Sequence, residues 1–331
     1  MSAKAAVETA WITTNYPGAD TFLGHSELMG ISSRSELGTV ASQWRRITSA
    51  LARAGFSSEY RDGHIVVAGR AFVLDNLECD PATNINVVAA QEDMDEVSFQ
   101  AISEVVREAV RNPRVIAIHG SPLSAARIAA EVKALRRGGW EISGASIPAL
   151  GVYNEYYRVR HLALGLPEDN LVSRLRAGGA TVALIGKAPD VIPVEADLTA
   201  LSVDPNETLE DLMKISGDAR YDYVICNFQQ IDLAGHGMDL TAAAEHLRAV
   251  DRTVDSILAR VEPGVSFALT ADHGNDPCVN GGMHTRENLP FVMVDPTRSA
   301  EWVNWGHRHS LGWIADLIWE RRSVVNMSAS V

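Results

Sequence analysis

Short apolar runs in the second half of the chain constrain its fold most. They are continuous rather than alternating, which is typical of strands buried on both faces of a sheet. The runs are TVALIG (181–186), YDYVICNF (221–228), SFALTAD (266–272) and PFVMVD (290–295). Helical patterns lie between them, near 168–177, 206–215 and 239–260. The alternation of strand and helix predicts an α/β fold with a doubly wound core.

The residues ahead of this region predict a second unit inserted into the core. A strand is expected over 5–13, followed by an α+β segment. From about residue 150 the pattern changes to short apolar runs that alternate with helices. Within the segment, helices are expected at 39–54, 94–111 and 124–137, strands at 85–91 and 114–120, and a hairpin turning at Asp62-Gly63. The predicted domains are therefore a core of 1–33 and 151–331 and an inserted unit of 34–150.

Composition and charge exclude several classes of partner for this chain. The chain has 331 residues, 46% of them hydrophobic, and a formal net charge of −13. This acidity argues against nucleic acid as a partner, because phosphate backbones attract clustered lysine and arginine. We find neither the apolar run of about 18 residues that a membrane helix needs nor a signal-peptide pattern. With three scattered cysteines, we expect a cytoplasmic protein without nucleic-acid or membrane partners.

Two loops that follow predicted strands carry the residue types of a metal site. The first loop contains Asp232 and His236, and the second contains Asp272, His273 and His284. Either loop alone is weak evidence, since an Asp-x-x-x-His pair is common by chance. Ligands of open α/β sheets bind at the carboxyl ends of the strands, and carboxylate oxygen and imidazole nitrogen are good ligands for Zn²⁺ and Mn²⁺. The two loops together predict a site for divalent metal.

The segment TADHGNDP…HTRE resembles the metal-binding segment of phosphopentomutases. These enzymes belong to the alkaline-phosphatase-like superfamily with the cofactor-independent phosphoglycerate mutases. The resemblance implies an alkaline-phosphatase-like core with an inserted cap, and two divalent ions, Mn²⁺ foremost and Zn²⁺ as the alternative. It assigns one ion to Asp232, His236 and His284. It assigns the other to Asp272, His273, the nucleophile hydroxyl and an Asp near the start of the family's chains.

The stretch GADTFLGHS (18–26) is similar to the nucleophile motifs of these enzymes. The resemblance implies that Thr21 is the phosphorylated nucleophile and that Asp20, which belongs to the same motif, is a catalytic residue. A threonine hydroxyl is a poor nucleophile until it is activated, and two metal ions can clamp the attacking and leaving oxygens of a phosphoryl transfer. Without the downstream loops, Thr21 would be interpreted as a turn or cap residue.

The resemblance also implies a sugar phosphate substrate of the ribose 1-phosphate/ribose 5-phosphate type. Lys187, in the IGK segment, and Arg158 or Arg160, in NEYYRVRHLAL, are candidates for binding its phosphate. Arg286, beside a proposed ligand, is a candidate for a supporting role. The leading hypothesis is a phosphomutase, that is, an isomerase working through a phosphothreonine. A phosphoryl hydrolase on the same scaffold is the alternative.

The sequence departs from the family at its beginning. Family members start with a core strand that ends in a metal-binding Asp, whereas Glu8 and Asp20 are the acids ahead of Thr21 here. This predicts an incomplete second metal site and an unpaired strand edge. A small partner polypeptide that supplies the strand and the Asp would explain the difference. A truncated start, or loss of two-metal chemistry, are the alternatives.

Overall fold

In the computed structural model, the chain divides into two units. The core unit comprises residues 1–33 and 166–331, and the inserted unit comprises 34–165. The residues that the structure describes are 5–31, 36–121, 123–147, 149–151, 157–164, 169–192, 194–260, 265–279, 282–299 and 301–328.

The helices follow the predicted order along the chain. They are α1 (Thr21–Leu28), α2 (Val40–Arg53), α3 (Glu96–Ala109), α4 (Ala125–Glu131), α5 (Leu171–Ala177), α6 (Ala188–Val191), α7 (Pro205–Ile215), α8 (Gln230–His236), α9 (Leu240–Arg260) and α10 (Gly312–Ser328). Within the described ranges, no helix is both long enough and apolar enough to cross a membrane.

The strands divide between the two units. They are β1 (Ala6–Ile12), β2 (Ser58–Arg61), β3 (His64–Val67), β4 (Ala71–Asp75), β5 (Asn84–Ala90), β6 (Arg114–Gly120), β7 (Val132–Arg137), β8 (Trp140–Ala145), β9 (Tyr157–Ala163), β10 (Val182–Gly186), β11 (Leu198–Leu201), β12 (Tyr223–Asn227), β13 (Phe267–Thr270), β14 (Leu289–Asp295) and β15 (Trp302–Arg308).

The core unit contains a parallel sheet of order β11-β10-β12 with helices on both faces. Leu184 of β10 packs in one apolar cluster with Leu175 of α5 and Ala315 of α10. Ile185, which points the other way, packs with Ile215 of α7. Helices on both faces of a parallel sheet confirm the predicted α/β class.

A second sheet of the core unit has the order β13-β14-β1-β15. In it, β1 is antiparallel to β14 and parallel to β15, and β13 is antiparallel to β14. Consequently β13 runs in the same direction as β1. The segments after β12 and β13 carry the predicted ligands.

The expectation that all four apolar runs are buried on both faces is wrong for three of them. Every residue of β10 is buried, but every residue of β12 is only half-buried. In β13, Leu269 is 46% exposed, and β14 alternates between buried and more exposed residues. Among the described strands, β12 and β13 each pair with one neighbour and lie at sheet edges. Strand β14 pairs along both edges, and its alternation is that of a strand with one face towards the core.

The inserted unit is built on a sheet of order β2-β3-β4-β5-β6-β9. Helices α2 and α3 cover it, with Ile47, Leu51 and Ile102 in one apolar cluster with Val87 of β5. Strand β9 pairs antiparallel with β6. The inserted unit therefore extends to residue 165, beyond the predicted boundary at 150, because β9 completes its sheet.

The predicted helix at 124–137 is wrong in its second half. Helix α4 ends at Glu131, and β7 and β8 then form an antiparallel hairpin. Gly138 and Gly139 form its turn with φ of 55° and 82°. Positive φ at both central residues suits the twist of a two-residue hairpin, and glycine adopts it without steric strain.

Candidate metal centre

Three predicted ligands converge in the core unit. Asp232 and His236 lie one turn apart on α8, so their side chains share one face of the helix. His284 reaches the same point from the loop before β14. Its Nε2 lies 3.3 Å from Oδ1 of Asp232, and Nε2 of His236 lies 3.4 Å from Oδ2 of Asp232. The three donor atoms all lie within 4.8 Å of one another, which is compact enough for one metal ion.

The two imidazoles of this cluster are oriented for metal binding. Nδ1 of His236 lies 2.6 Å from the carbonyl oxygen of Gly282, and Nδ1 of His284 lies 3.1 Å from that of Ala19. A carbonyl oxygen only accepts, so each Nδ1 donates a hydrogen bond to its carbonyl, and each Nε2 is turned towards the Asp232 carboxylate. The two Nε2 atoms are 3.2 Å apart. Two imidazole nitrogens and a carboxylate that face one point form a donor set that fits a divalent metal.

The carboxylate of the cluster is held ionised. Burial favours its neutral form, but the neighbouring His236 and His284 favour the ionised form more strongly and hold the pKa of Asp232 well below its usual value. Nδ2 of Asn275 donates to Oδ1 of Asp232 at 2.7 Å. Asn275 had no sequence signal beyond its place two residues after His273.

A second cluster joins the start of α1 to the loop after β13. The Thr21 hydroxyl donates to Oδ2 of Asp272 at 2.6 Å, and Nε2 of His273 lies 3.3 Å from the same oxygen. Burial lowers the pKa of His273, which favours the neutral ring that binds metals. Asp20 is buried, and its side chain caps α1 by accepting from the Leu23 amide at 3.1 Å.

His25 and Asn227 also belong to this cluster, although neither was predicted as a site residue. Nδ1 of His25 lies 2.8 Å from the Thr21 carbonyl oxygen and 3.1 Å from Oδ2 of Asp272. Nε2 of His25 lies 3.0 Å from Nδ2 of Asn227, the last residue of β12. The available signal was the Gly24-His25 pair, which places an imidazole one helical turn after Thr21.

The two clusters adjoin. The rings of His273 and His284 stack with centroids 3.7 Å apart, so one ring from each cluster is in contact. Gly24 lies against the Asp272 backbone, where an added Cβ would stand 2.4 Å from its carbonyl oxygen. Only glycine permits α1 to approach the loop this closely.

The residues predicted to bind the substrate or to support the site lie in different places. Lys187 follows β10, and its Nζ lies 2.6 Å from Oδ2 of Asp190. Arg286 donates from Nη1 to the carbonyl of Tyr16 at 2.8 Å and from Nη2 to that of Thr14 at 3.3 Å. Arg286 therefore ties down the segment that leads into α1.

The other two predicted arginines belong to the inserted unit. Arg158 and Arg160 lie on β9, where both are exposed. Arg158 pairs with Glu96 of α3.

Together, an α/β core and two adjoining clusters of carboxylate and imidazole define a metal-binding α/β protein with a hydroxyl in its second cluster. A sequence model of the Metalloenzyme superfamily matches residues 151–324, more than half of the chain. The chain therefore belongs to the Metalloenzyme superfamily.

Within this superfamily, the chain is similar to phosphopentomutases. That of Sinorhizobium fredii is 36% identical over 134 residues, which are 40% of this chain and 33% of that protein. The chain thus spans about a third of the length of this relative in the alignment. The phosphopentomutase of Anaeromyxobacter sp. is 25% identical over 289 residues, covering 85% of this chain and 70% of that protein.

A solved structure of Leishmania mexicana phosphoglycerate mutase aligns with 90% of this chain and 84% of its own. The sequence identity is 15% and the TM-score is 0.42.

Proposed function

We propose that the chain is a metal-dependent phosphomutase. It would move a phosphoryl group within a sugar phosphate, of the ribose 1-phosphate/ribose 5-phosphate type, through a phosphothreonine at Thr21. The observation that carries the proposal is the Thr21 hydroxyl, which donates to Asp272 at 2.6 Å beside the Asp232–His236–His284 cluster. The similarity to phosphopentomutases supports the choice of substrate.

The proposal assigns the residues that would hold two metal ions. Asp232, His236 and His284 would hold the first, and Asp272, His273 and the Thr21 hydroxyl would contribute to the second. Mn²⁺ is the proposed metal, with Zn²⁺ as the alternative, since both accept carboxylate and imidazole ligands. When bound, such ions neutralise charge that develops on the phosphoryl oxygens during transfer.

The chain's own residues orient the acceptor. Thr21 is the first residue of α1, where the positive end of the helix dipole favours a phosphate. Asp272 accepts a hydrogen bond from the Thr21 hydroxyl and so fixes the position of Oγ1. Asp20 caps the helix. We assign Lys187 to the substrate phosphate as a point charge at the carboxyl end of β10.

Three arginines are assigned to the site because a guanidinium group donates several hydrogen bonds. Arg158 or Arg160 would bind phosphate through its guanidinium group. Arg286 would support the site by holding the segment ahead of α1.

A partner polypeptide that adds a strand between β12 and β13 is part of the proposal. Asn227 and Asp272, which end or follow these strands, are bridged by the ring of His25. These contacts join side chains rather than backbones, and the proposal places one added strand between the two strands. Among the described strands, neither pairs along this edge. The half-buried β12 and the exposed Leu269 favour an apolar occupant.

A cytoplasmic location completes the proposal. In the part of the chain that the structure describes, Cys79, Cys226 and Cys278 form no disulfide, which is usual in a reducing compartment.

The test is product analysis of the Thr21→Ala variant. The full chain, loaded with Mn²⁺, is incubated with ribose 1-phosphate and followed by ³¹P NMR, and intact mass is used to detect phosphorylation at Thr21. We expect isomerisation to ribose 5-phosphate and loss of turnover by at least about 1,000-fold in Thr21→Ala, since the covalent step is removed.

Ser26→Ala is the matched control. Its hydroxyl lies on the same helix but donates to the Phe22 carbonyl at 2.7 Å, within α1, so activity should persist. Mutase activity that survives Thr21→Ala would exclude Thr21 as the acceptor. Release of inorganic phosphate without isomerisation would identify a hydrolase instead.

A further inference from the structure

A chain of hydrogen bonds ties the end of β12 to the first turn of α1. Nδ2 of Asn227 lies 3.0 Å from Nε2 of His25. On the other side of the ring, Nδ1 lies 2.8 Å from the carbonyl oxygen of Thr21. Asn227 and His25 are separated by 202 positions in the chain, so the link is purely tertiary.

The hydrogen-bond partners of His25 define which of its ring nitrogens donates and which accepts. The Thr21 carbonyl only accepts, so Nδ1 carries the proton, and the Asn227 amide nitrogen only donates, so Nε2 accepts. Both ring nitrogens are therefore engaged, and His25 is only 5% exposed. A ring held from two sides inside the protein has a fixed orientation.

The ring of His25 and the proposed nucleophile, Thr21, contact the same oxygen of Asp272. Nδ1 of His25 lies 3.1 Å from Oδ2 of Asp272, and this oxygen also accepts the Thr21 hydroxyl at 2.6 Å. Movement of the ring would therefore move the first turn of α1 relative to the carboxylate. The close approach of Gly24 to the Asp272 backbone leaves no space to absorb such a shift.

We propose that Asn227 and His25 are positioning residues that hold the Thr21 hydroxyl against Asp272. Asn227 anchors the ring to the sheet, and the ring anchors the first turn of α1. The inference rests on the proposed function, in which Oγ1 of Thr21 accepts the phosphoryl group. Neither side chain is proposed to contact the substrate.

The kinetic test is a double-mutant cycle in the metal-loaded full chain. His25→Asn keeps an amide donor near the Thr21 carbonyl but is too short to reach Asn227, and Asn227→Ala removes the anchor. Each change should lower kcat by about 10–100-fold with little change in KM, as for residues that orient catalytic groups. The double variant should be no slower than either single variant, because both remove one connection.

A second readout does not depend on activity. The Gly24 amide donates to the Asp20 carbonyl at 2.9 Å in the first turn of α1, so its hydrogen exchange reports the order of that turn. Both variants should exchange this amide at least about tenfold faster than the parent protein, with metal bound or removed. If the parent protein proves inactive as a mutase, the proposed function fails while this measurement still tests the positioning role.

Ser26→Ala again serves as the control, since it removes a buried hydroxyl from α1 without touching His25. It should leave kcat and the Gly24 exchange rate unchanged. Additive losses in the double variant would overturn the inference, as would effects confined to KM. Unchanged Gly24 exchange in both single variants would also overturn it.

Discussion

At the scale of single residues, the centre combines groups of two kinds. The proposed ligands carry obvious chemistry, such as Asp232 and His236, and their spacing on a helix makes them visible in the sequence. The groups that orient them are less visible. Carbonyl oxygens of Gly282 and Ala19 set the ring protons of His236 and His284, and any residue can provide a carbonyl.

Replacement of Asp232 should weaken metal binding. Asp232→Asn removes the only carboxylate of the Asp232–His236–His284 cluster, so we expect Mn²⁺ affinity at this site to fall by at least about 100-fold. Isothermal titration calorimetry on the full chain measures the change.

Asp276→Asn is the matched control for this experiment. Asp276 lies in the loop after β13, is exposed, and accepts from the Cys278 amide at 2.8 Å, a contact that asparagine can keep. Equal Mn²⁺ affinity in Asp232→Asn and Asp276→Asn would contradict the assignment of the first metal.

At the scale of elements, one buried carboxyl joins three segments of the inserted unit. Asp75, the last residue of β4, accepts from the Val40 amide at the start of α2 and from the Ser143 amide of β8, each at 2.8 Å. Burial raises its pKa to about 7, against the smaller opposite effect of these two amides.

The stability of the inserted unit should therefore depend on pH. Between about pH 4 and pH 7 the folded unit holds a proton on Asp75 that the unfolded chain has released, so its unfolding free energy falls as pH rises across this range. The loss amounts to a few kcal/mol. Asp75→Asn should flatten this slope, as measured by amide exchange of β4, β5 and β6 in the full chain.

The exposed Glu104 of α3 provides the control. Glu104→Gln should retain the slope of the parent protein. A slope in Asp75→Asn equal to that of Glu104→Gln would show that other groups cause the pH dependence.

At the scale of the whole molecule, the core unit contains two sheets whose facing strands, β12 and β13, are incompletely covered. A synthetic peptide that repeats residues 181–186 of β10, with added lysines for solubility, is a suitable probe. Strand addition should slow amide exchange in β12 and β13 by at least about tenfold, because backbone hydrogen bonds then protect both edges.

Two comparisons make the probe specific. A peptide carrying Leu184→Pro lacks a backbone donor and should not protect. Leu269→Lys, on β13, should abolish protection, whereas Leu201→Lys, on the edge strand β11, should not; the two leucines are 46% and 55% exposed. Protection of β11 or β15 instead, or dimerisation through β13 without peptide, would argue against a partner strand.

Local patterns determined most of the elements and the proposed ligand set. Strand β6 has the predicted bounds, and α2 and α3 lie within one or two residues of theirs, because hydrophobic periodicity and caps are properties of neighbouring residues. The same locality explains the error at β7, where a helical pattern hid the Gly138-Gly139 turn.

Sequence alone placed Asp232 with His236 and Asp272 with His273, since each pair is close in the chain. Only the tertiary structure decided that Thr21 meets Asp272 across 251 positions, that Asn227 holds His25, and that β9 belongs to the inserted unit. Such contacts depend on how elements that are far apart in the chain pack together, and neither periodicity nor composition contains information about that packing.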